Sequence, residues 1–326
     1  MKRREFISVL SCFSALAFTA RAQQKLPVIG FLNANPEGGV ATAFRKGLSE
    51  HGYVAGRDFV SEYRGNSPYG PDQHDRIAAD AAALVERGAA LIVVYRVLDA
   101  LIAKAATKSI PIVFSVGGDP VATGLVDSLA HPGGNLTGNA NLNTDLIEKR
   151  LEILHELAPA AASVGFIANP TNTTYTAVET KQLQRAARAL GLRLLIADVA
   201  SPGDLDPAFA GLARDGASAL VVSGDALFYN IRDQLNVLIA HYAWPAIYAT
   251  RAWATAGSLV SYGTDYSNGY HLMGIYAGRI LKGEKPADLP VQQITKIELV
   301  INLKAAKTLG ITIPSTLLAR ADEVIE

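Results

Sequence analysis

Leu84-Val85-Glu86-Arg87-Gly88-Ala89-Ala90-Leu91-Ile92-Val93-Val94 decides the fold, because the same statement recurs as Leu212-Ala213-Arg214-Asp215-Gly216-Ala217-Ser218-Ala219-Leu220-Val221-Val222. Each copy reads as a helix end, a glycine that stops it, and a strand apolar at every position. Glycine enters the left-handed conformation that ends helices, and a strand without polar alternation is covered on both faces. Working outward, three more landmarks repeat in the same order. Gly30-Phe31-Leu32-Asn33-Ala34-Asn35-Pro36 returns as Gly165-Phe166-Ile167-Ala168-Asn169-Pro170. His51-Gly52-Tyr53 is answered by Leu190-Gly191-Leu192, and Ile110-Pro111-Ile112-Val113-Phe114 by Trp244-Pro245-Ala246-Ile247-Tyr248.

The elements between these landmarks alternate. Val28–Leu32 and residues 59–63, 90–94 and 110–116 are short, rich in Val and Ile, and bounded by Gly, Pro or Asn. Residues 41–51, 72–87 and 99–107 carry apolar positions three and four apart, the spacing of one helical face. Strand and helix in strict alternation predict an α/β architecture of parallel sheets flanked by helices. The repeat predicts two similar lobes. Clusters of Pro, Gly and Asn at 133–142 and 257–265 mark hinge strands, and a third crossing is expected at 286–290. The expected division is 23–140 with 264–289 for lobe 1, and 141–263 with 290–326 for lobe 2.

Lys2, Arg3 and Arg4 precede an apolar run over 6–20 and a cleavage-like Ala20-Arg21-Ala22, so residues 1–22 read as a signal peptide. The run, about 15 residues, is shorter than the roughly 20 that a spanning helix needs. The paired arginines resemble a twin-arginine export signal, a pattern that Sec signals also carry. Cys12 is the single cysteine of the chain and lies in this leader; Val9-Leu10-Ser11-Cys12 only faintly resembles a lipoprotein box. A mature chain without cysteine has neither disulfides nor thiolate chemistry. Removing the leader leaves 26 of 30 basic residues against 29 of 30 acidic ones, which offers no field for nucleic acid or an anionic membrane. With 49% hydrophobic residues in 326, core burial is ample for two lobes.

Signatures of catalysis are missing. No G-x-S-x-G elbow, Walker loop or H-E-x-x-H is present, and the histidines stand singly, so no catalytic residue, metal site or cofactor is expected. Pro132-Gly133-Gly134-Asn135-Leu136-Thr137-Gly138 does not join a strand to a helix as a dinucleotide loop must. Polar clusters instead follow strand after strand: Asn33 and Asn35; Ser115, Gly117 and Asp119; Asn169 and Asn172; Asp225. Ligands of parallel sheets bind at these ends, where helix N-termini present free N–H groups, and such a place suits a carboxylate. The same residue types also cap helices and build turns. Asp119, Asp225 and Asp265 are candidates for a ligand ammonium, with Asp265 favoured by its place at a hinge. Tyr95 and Tyr248 offer ring walls, Arg96 either a bidentate carboxylate clamp or a solvated cation, and Thr137 and Asn139 lie on the hinge approach.

These residues carry a resemblance. Ala43-Phe44-Arg45-Lys46-Gly47-Leu48, Gly118-Asp119-Pro120-Val121, His131-Pro132-Gly133-Gly134-Asn135-Leu136-Thr137-Gly138, Lys149-Arg150-Leu151-Glu152-Ile153-Leu154, Ser261-Tyr262-Gly263 with Asp265, and Glu298-Leu299-Val300-Ile301-Asn302-Leu303-Lys304 resemble ABC transporter substrate-binding proteins of the TrpX-like family. The likeness runs from Val28 to Glu326. It implies a type I periplasmic binding protein fold and a periplasmic receptor holding an amino-acid-like ligand between its lobes, with a membrane permease and an ATPase on other chains; a monomer is expected. Tyr95-Arg96-Val97-Leu98 departs from the small, glycine-bearing residues of many relatives and points to a reshaped pocket. The other function weighed on the same fold is a ligand-sensing module for a chemoreceptor or histidine kinase.

Overall fold

The computed structural model describes residues 26–32, 39–65, 72–141 and 143–326. The expected leader and the candidate residues Asn33 and Asn35 lie outside them. The chain opens with β1 (Val28–Leu32), α1 (Gly39–Glu50), β2 (Val60–Arg64), α2 (Gln73–Glu86), β3 (Leu91–Val94), α3 (Val97–Ala106), β4 (Ile112–Gly117) and β5 (Leu136–Asn141). It then crosses to α4 (Ile147–Leu157), β6 (Ser163–Ala168), α5 (Thr173–Leu190), β7 (Arg193–Asp198), α6 (Leu205–Arg214), β8 (Ala219–Val222), α7 (Ala226–Asn230), α8 (Arg232–Tyr242), β9 (Ala246–Tyr248), α9 (Arg251–Thr255) and β10 (Val260–Thr264). A return adds α10 (Tyr266–Leu281) and β11 (Gln292–Ile294) to the first lobe. The last pieces, β12 (Ile297–Asn302), α11 (Leu303–Thr308), α12 (Ser315–Leu318) and β13 (Glu323–Ile325), complete the second.

Two sheets result, in the orders β11-β5-β4-β3-β1-β2 and β13-β12-β10-β9-β8-β6-β7. Every named pairing is parallel except β10 with β12. Apolar clusters fill both faces of each sheet, as expected for strands without polar alternation. The repeat is physical as well as textual. A Cβ on Gly30 of β1 would stand 2.8 Å from Leu84 of α2, and one on Gly165 of β6 would stand 3.0 Å from Leu212 of α6, so each lobe seats the same leucine on the same glycine.

Helix α10 belongs to the first lobe through a glycine seam. A Cβ on Gly47 would lie 2.1 Å from the His271 carbonyl oxygen, and one on Gly274 would lie 2.0 Å from that of Phe44. Backbones this close exclude any side chain. The third crossing falls later than the expected 286–290. Residues Pro286–Asp288 make a single 3₁₀ turn on lobe 1, Thr137 Oγ1 donates to the Leu289 carbonyl at 2.6 Å, and Gln292 pairs with Asn139. The prolines mark that turn, and the chain changes lobes only between Ile294 and Ile297.

Candidate functional site

The carboxyl ends of β6 and β8 carry a buried polar network. Asp225 caps α7, accepting from Leu227 N–H at 2.8 Å. Its carboxylate also receives Asn169 Nδ2 at 3.0 Å and Asn172 Nδ2 at 2.7 Å, which ties the loop entering α5 to the loop entering α7. These three residues, picked from sequence in two separate clusters, are brought together. Beside them Glu179 of α5 is fully buried; Ser223 Oγ donates to its Oε2 and Gly224 N–H to Oε1. Burial pushes the Glu179 carboxyl up to about 7, against the Arg150 charge and the Ser223 and Gly224 bonds that pull it down.

Arg150 of α4, also fully buried, joins this floor to the hinge. Its Nε donates to the Tyr262 carbonyl at 2.7 Å, and its Nη2 to Asn143 O and Oδ1, both at 3.0 Å. Its Nη1 lies 3.9 Å from Glu179 Oε1, an ion-pair distance without a hydrogen bond. Asn143, on the first crossing, also accepts from Thr264 N–H at 3.2 Å and donates to the Tyr266 hydroxyl, so the first two hinge strands meet at one side chain.

Lobe 1 contributes rings. Tyr95 stands edge-on to Tyr270 at 5.3 Å between centroids, and Tyr270 lies 6.0 Å from Tyr266. Burial holds all three phenols above their usual pKa, Tyr266 at about 12, so they are neutral. Tyr229 of α7, on the opposite lobe, adds to the Tyr270 shift. Tyr175, in the first turn of α5, reaches across: a Cβ on Gly117 at the end of β4 would be 2.8 Å from its Cε2. The strand ends of the two lobes therefore face and touch each other. Among the described residues no cluster of His, Cys, Asp and Glu could hold a metal ion.

The remaining sequence candidates are placed otherwise. Arg96 Nε and Nη2 donate to both oxygens of the buried Asp99, at 2.8 and 2.7 Å, so its fork is engaged inside lobe 1. Ser115 Oγ donates to Asn139 Oδ1 at 2.8 Å, and Asn139 Nδ2 to the Gly269 carbonyl at 2.8 Å, fastening α10 to the sheet. Asp119 is exposed and caps a turn through Val121 N–H at 2.8 Å. Asp265 caps α10 by accepting from Ser267 N–H at 2.9 Å. Tyr248 is buried in the second lobe's core, stacked on Trp253 at 4.4 Å. Of the three aspartates only Asp225 is buried.

Sequence reasoning missed Arg150, Tyr175 and Glu179. A usable signal existed for two of them. Arg150 shares a helix face with Ile147, Leu151, Leu154 and Leu157, and Glu179 with Leu183, Ala186 and Ala187, all buried. An ionisable residue on an apolar stripe must find a partner in the interior.

The chain matches the family described as ABC transporter substrate binding protein over residues 25–325. A tyrosine-binding protein of Clostridioides difficile strain R20291 is 28% identical over 204 residues, which spans 63% of this chain and 58% of that protein. An ABC domain from Streptococcus pneumonia in complex with L-Trp superposes at a TM-score of 0.76 with 26% identity, covering 92% of this chain and 100% of that one. A conserved domain protein from Vibrio cholerae gives 0.75 at 27% identity over 92% and 99%. The ligand-free, open structure of a substrate binding protein from Clostridium difficile gives 0.61 at 25% identity, again over 92% and 99%. A Bacillus halodurans solute binding protein with bound myo-inositol, 15% identical at a TM-score of 0.56 over 89% and 99%, shares the fold alone. With a match that spans nearly all of its described residues, this chain belongs to the ABC transporter substrate binding protein family and has the type I periplasmic binding fold.

Proposed function

We propose that this protein is the solute-binding component of an ABC importer and takes an amino-acid-like ligand, with an aromatic side chain, between its lobes. The observation that carries the reading is the meeting of two unlike surfaces at the strand ends. Lobe 1 supplies the neutral rings of Tyr95, Tyr266 and Tyr270, and lobe 2 the Asp225, Asn169 and Asn172 network beside Glu179. Rings suit a flat apolar side chain, and Asp225 suits an ammonium. Two relatives, one in complex with L-Trp and the other a tyrosine-binding protein, support the same class. At equal coverage the chain superposes better on the L-Trp complex than on the open structure, which supports a closed arrangement of the lobes here.

In this reading the chain binds and releases without chemistry. Ligand held by both lobes favours the closed form by contacts that exist only when the lobes meet, and the closed form is what a permease recognises. The mature chain begins after residue 22 and is exported to the periplasm, and the permease and ATPase are separate chains. No helix among the described residues is long and apolar enough to cross a membrane.

The test is thermal unfolding of the chain from Gln23 onward against tryptophan, tyrosine, phenylalanine and simple carboxylates, with mass spectrometry of any co-purified molecule. A ligand at 100 times its dissociation constant stabilises by about 2.7 kcal/mol. A flat panel with no retained small molecule overturns the proposal.

A further inference from the structure

Tyr175 stands where the lobes meet, between two glycines. Gly117 ends β4 in lobe 1 and Gly224 follows β8 in lobe 2; a Cβ on the first would be 2.8 Å from Tyr175 Cε2, and one on the second 2.6 Å from its hydroxyl oxygen. The pair forms a slot with no room for a methyl group on either side, and the ring fills it. The hydroxyl at its tip is buried and has no hydrogen-bond partner among the described residues. Nearby acceptors are already served. Glu179 accepts from Ser223 and Gly224, and Asp225 accepts from Asn169, Asn172 and Leu227. Burial, with Glu179 next in weight, holds the phenol well above its usual pKa, so the orphan group is a neutral donor. A buried donor left unmatched is a cost that folding alone does not recover.

We infer that Tyr175 is a specificity-determining residue of the cleft: its ring is the part of lobe 2 that seats in lobe 1, and its unmatched hydroxyl donates to an acceptor oxygen of the ligand. The inference rests on the proposed binding function for its second half only. Seating of the ring depends on Gly117 whether or not a ligand is bound. The ligand oxygen best suited is a carboxylate, because a charged acceptor strengthens the bond and Arg150, from the Glu179 side, offsets the charge.

The experiment compares the wild type with Tyr175→Phe, Tyr175→Ala and Gly117→Ala. Cysteines introduced at Ser49 and Val237, one exposed position on each lobe of a described chain that has no cysteine, carry a distance-reporting label pair. Tyr175→Phe keeps the ring and should keep the wild-type distance distribution. Tyr175→Ala and Gly117→Ala should shift it to larger separation, in unliganded protein as well. Calorimetry with tryptophan and with tryptamine, which lacks the carboxylate, reads the hydroxyl. Tyr175→Phe should lose about ten- to hundredfold in affinity for the acid, the worth of one hydrogen bond to a charged acceptor, and nothing for the amine. Equal losses for both, or none for either, overturn the role of the hydroxyl. Unchanged distances in Tyr175→Ala and Gly117→Ala overturn the role of the ring. A wild type that binds neither compound refutes an aromatic amino-acid ligand, and with it the carboxylate assignment, while the distances still decide the seating.

Discussion

The two lobes are built on one plan but use their polar strand ends for opposite purposes. In lobe 1, Ser115, Asn139, Thr137 and Arg96 spend their hydrogen bonds inward, on α10, on the Leu289 carbonyl and on Asp99. In lobe 2, Asn169, Asn172, Ser223 and Asp225 bond to one another and to Glu179 across two loops, and so form a surface. A repeat in sequence therefore guarantees equivalent positions, not equivalent work. The half that must also hold the returning helix keeps its polar groups for that, and the other half ties its polar groups to one another, which is the floor of the proposed binding site.

The contrast can be broken most severely at Arg150. Arg150→Ala strips three hydrogen bonds from the hinge and opens a buried space beside Glu179, and should cost about 4 kcal/mol in urea unfolding. A loss under about 1 kcal/mol would show that the hinge does not depend on it.

Glu179 gives lobe 2 a pH signature. Its carboxyl is raised from 4.5 to about 7, so between those values the folded chain holds a proton that the unfolded chain releases. The associated stability is fully present below pH 4.5 and is lost as pH rises through about 7, a decline of about 3 kcal/mol. Glu179→Gln, which still accepts from Ser223, should flatten that part of the profile; an unchanged slope would assign it elsewhere.

The mildest test compares two caps. Asp225→Ala removes a helix cap and strands the Asn169 and Asn172 amides, for about 2 kcal/mol, whereas Asp119→Ala touches only an exposed turn and should cost less than about 1 kcal/mol. Denaturant midpoints separate them, and equal costs would erase the distinction between the lobes.

What could be read from the residues follows from this division. Periodicity and the repeated helix-glycine-strand junction are set by backbone physics that operates the same way in both lobes. Gly30 with Leu84 and Gly165 with Leu212 confirm the repeat atom by atom. The site was less legible because Asn, Asp and Ser favour strand ends whether they cap, fasten or bind. Nothing local separates Asp225 from Asp265; only the approach of Asn169 and Asn172 does, and that is a tertiary fact. Arg150 and Glu179 hid on helix faces that read as plain core, and Tyr175 owes its place to two glycines far from it in sequence.

The glycine seam between α1 and α10 bears on how the molecule is assembled in time. Lobe 1 is not one continuous piece of chain, since the groove around Gly47 is filled by a helix that starts at Tyr266, after five of the seven strands of the second sheet have been made. Until then Phe44 and Leu48, fully buried at the end, have no cover from that side. The unit that begins first must finish late, so a nascent or truncated chain ending before Tyr266 presents an unfinished apolar face, and the apparent tandem of two domains ripens as a single object.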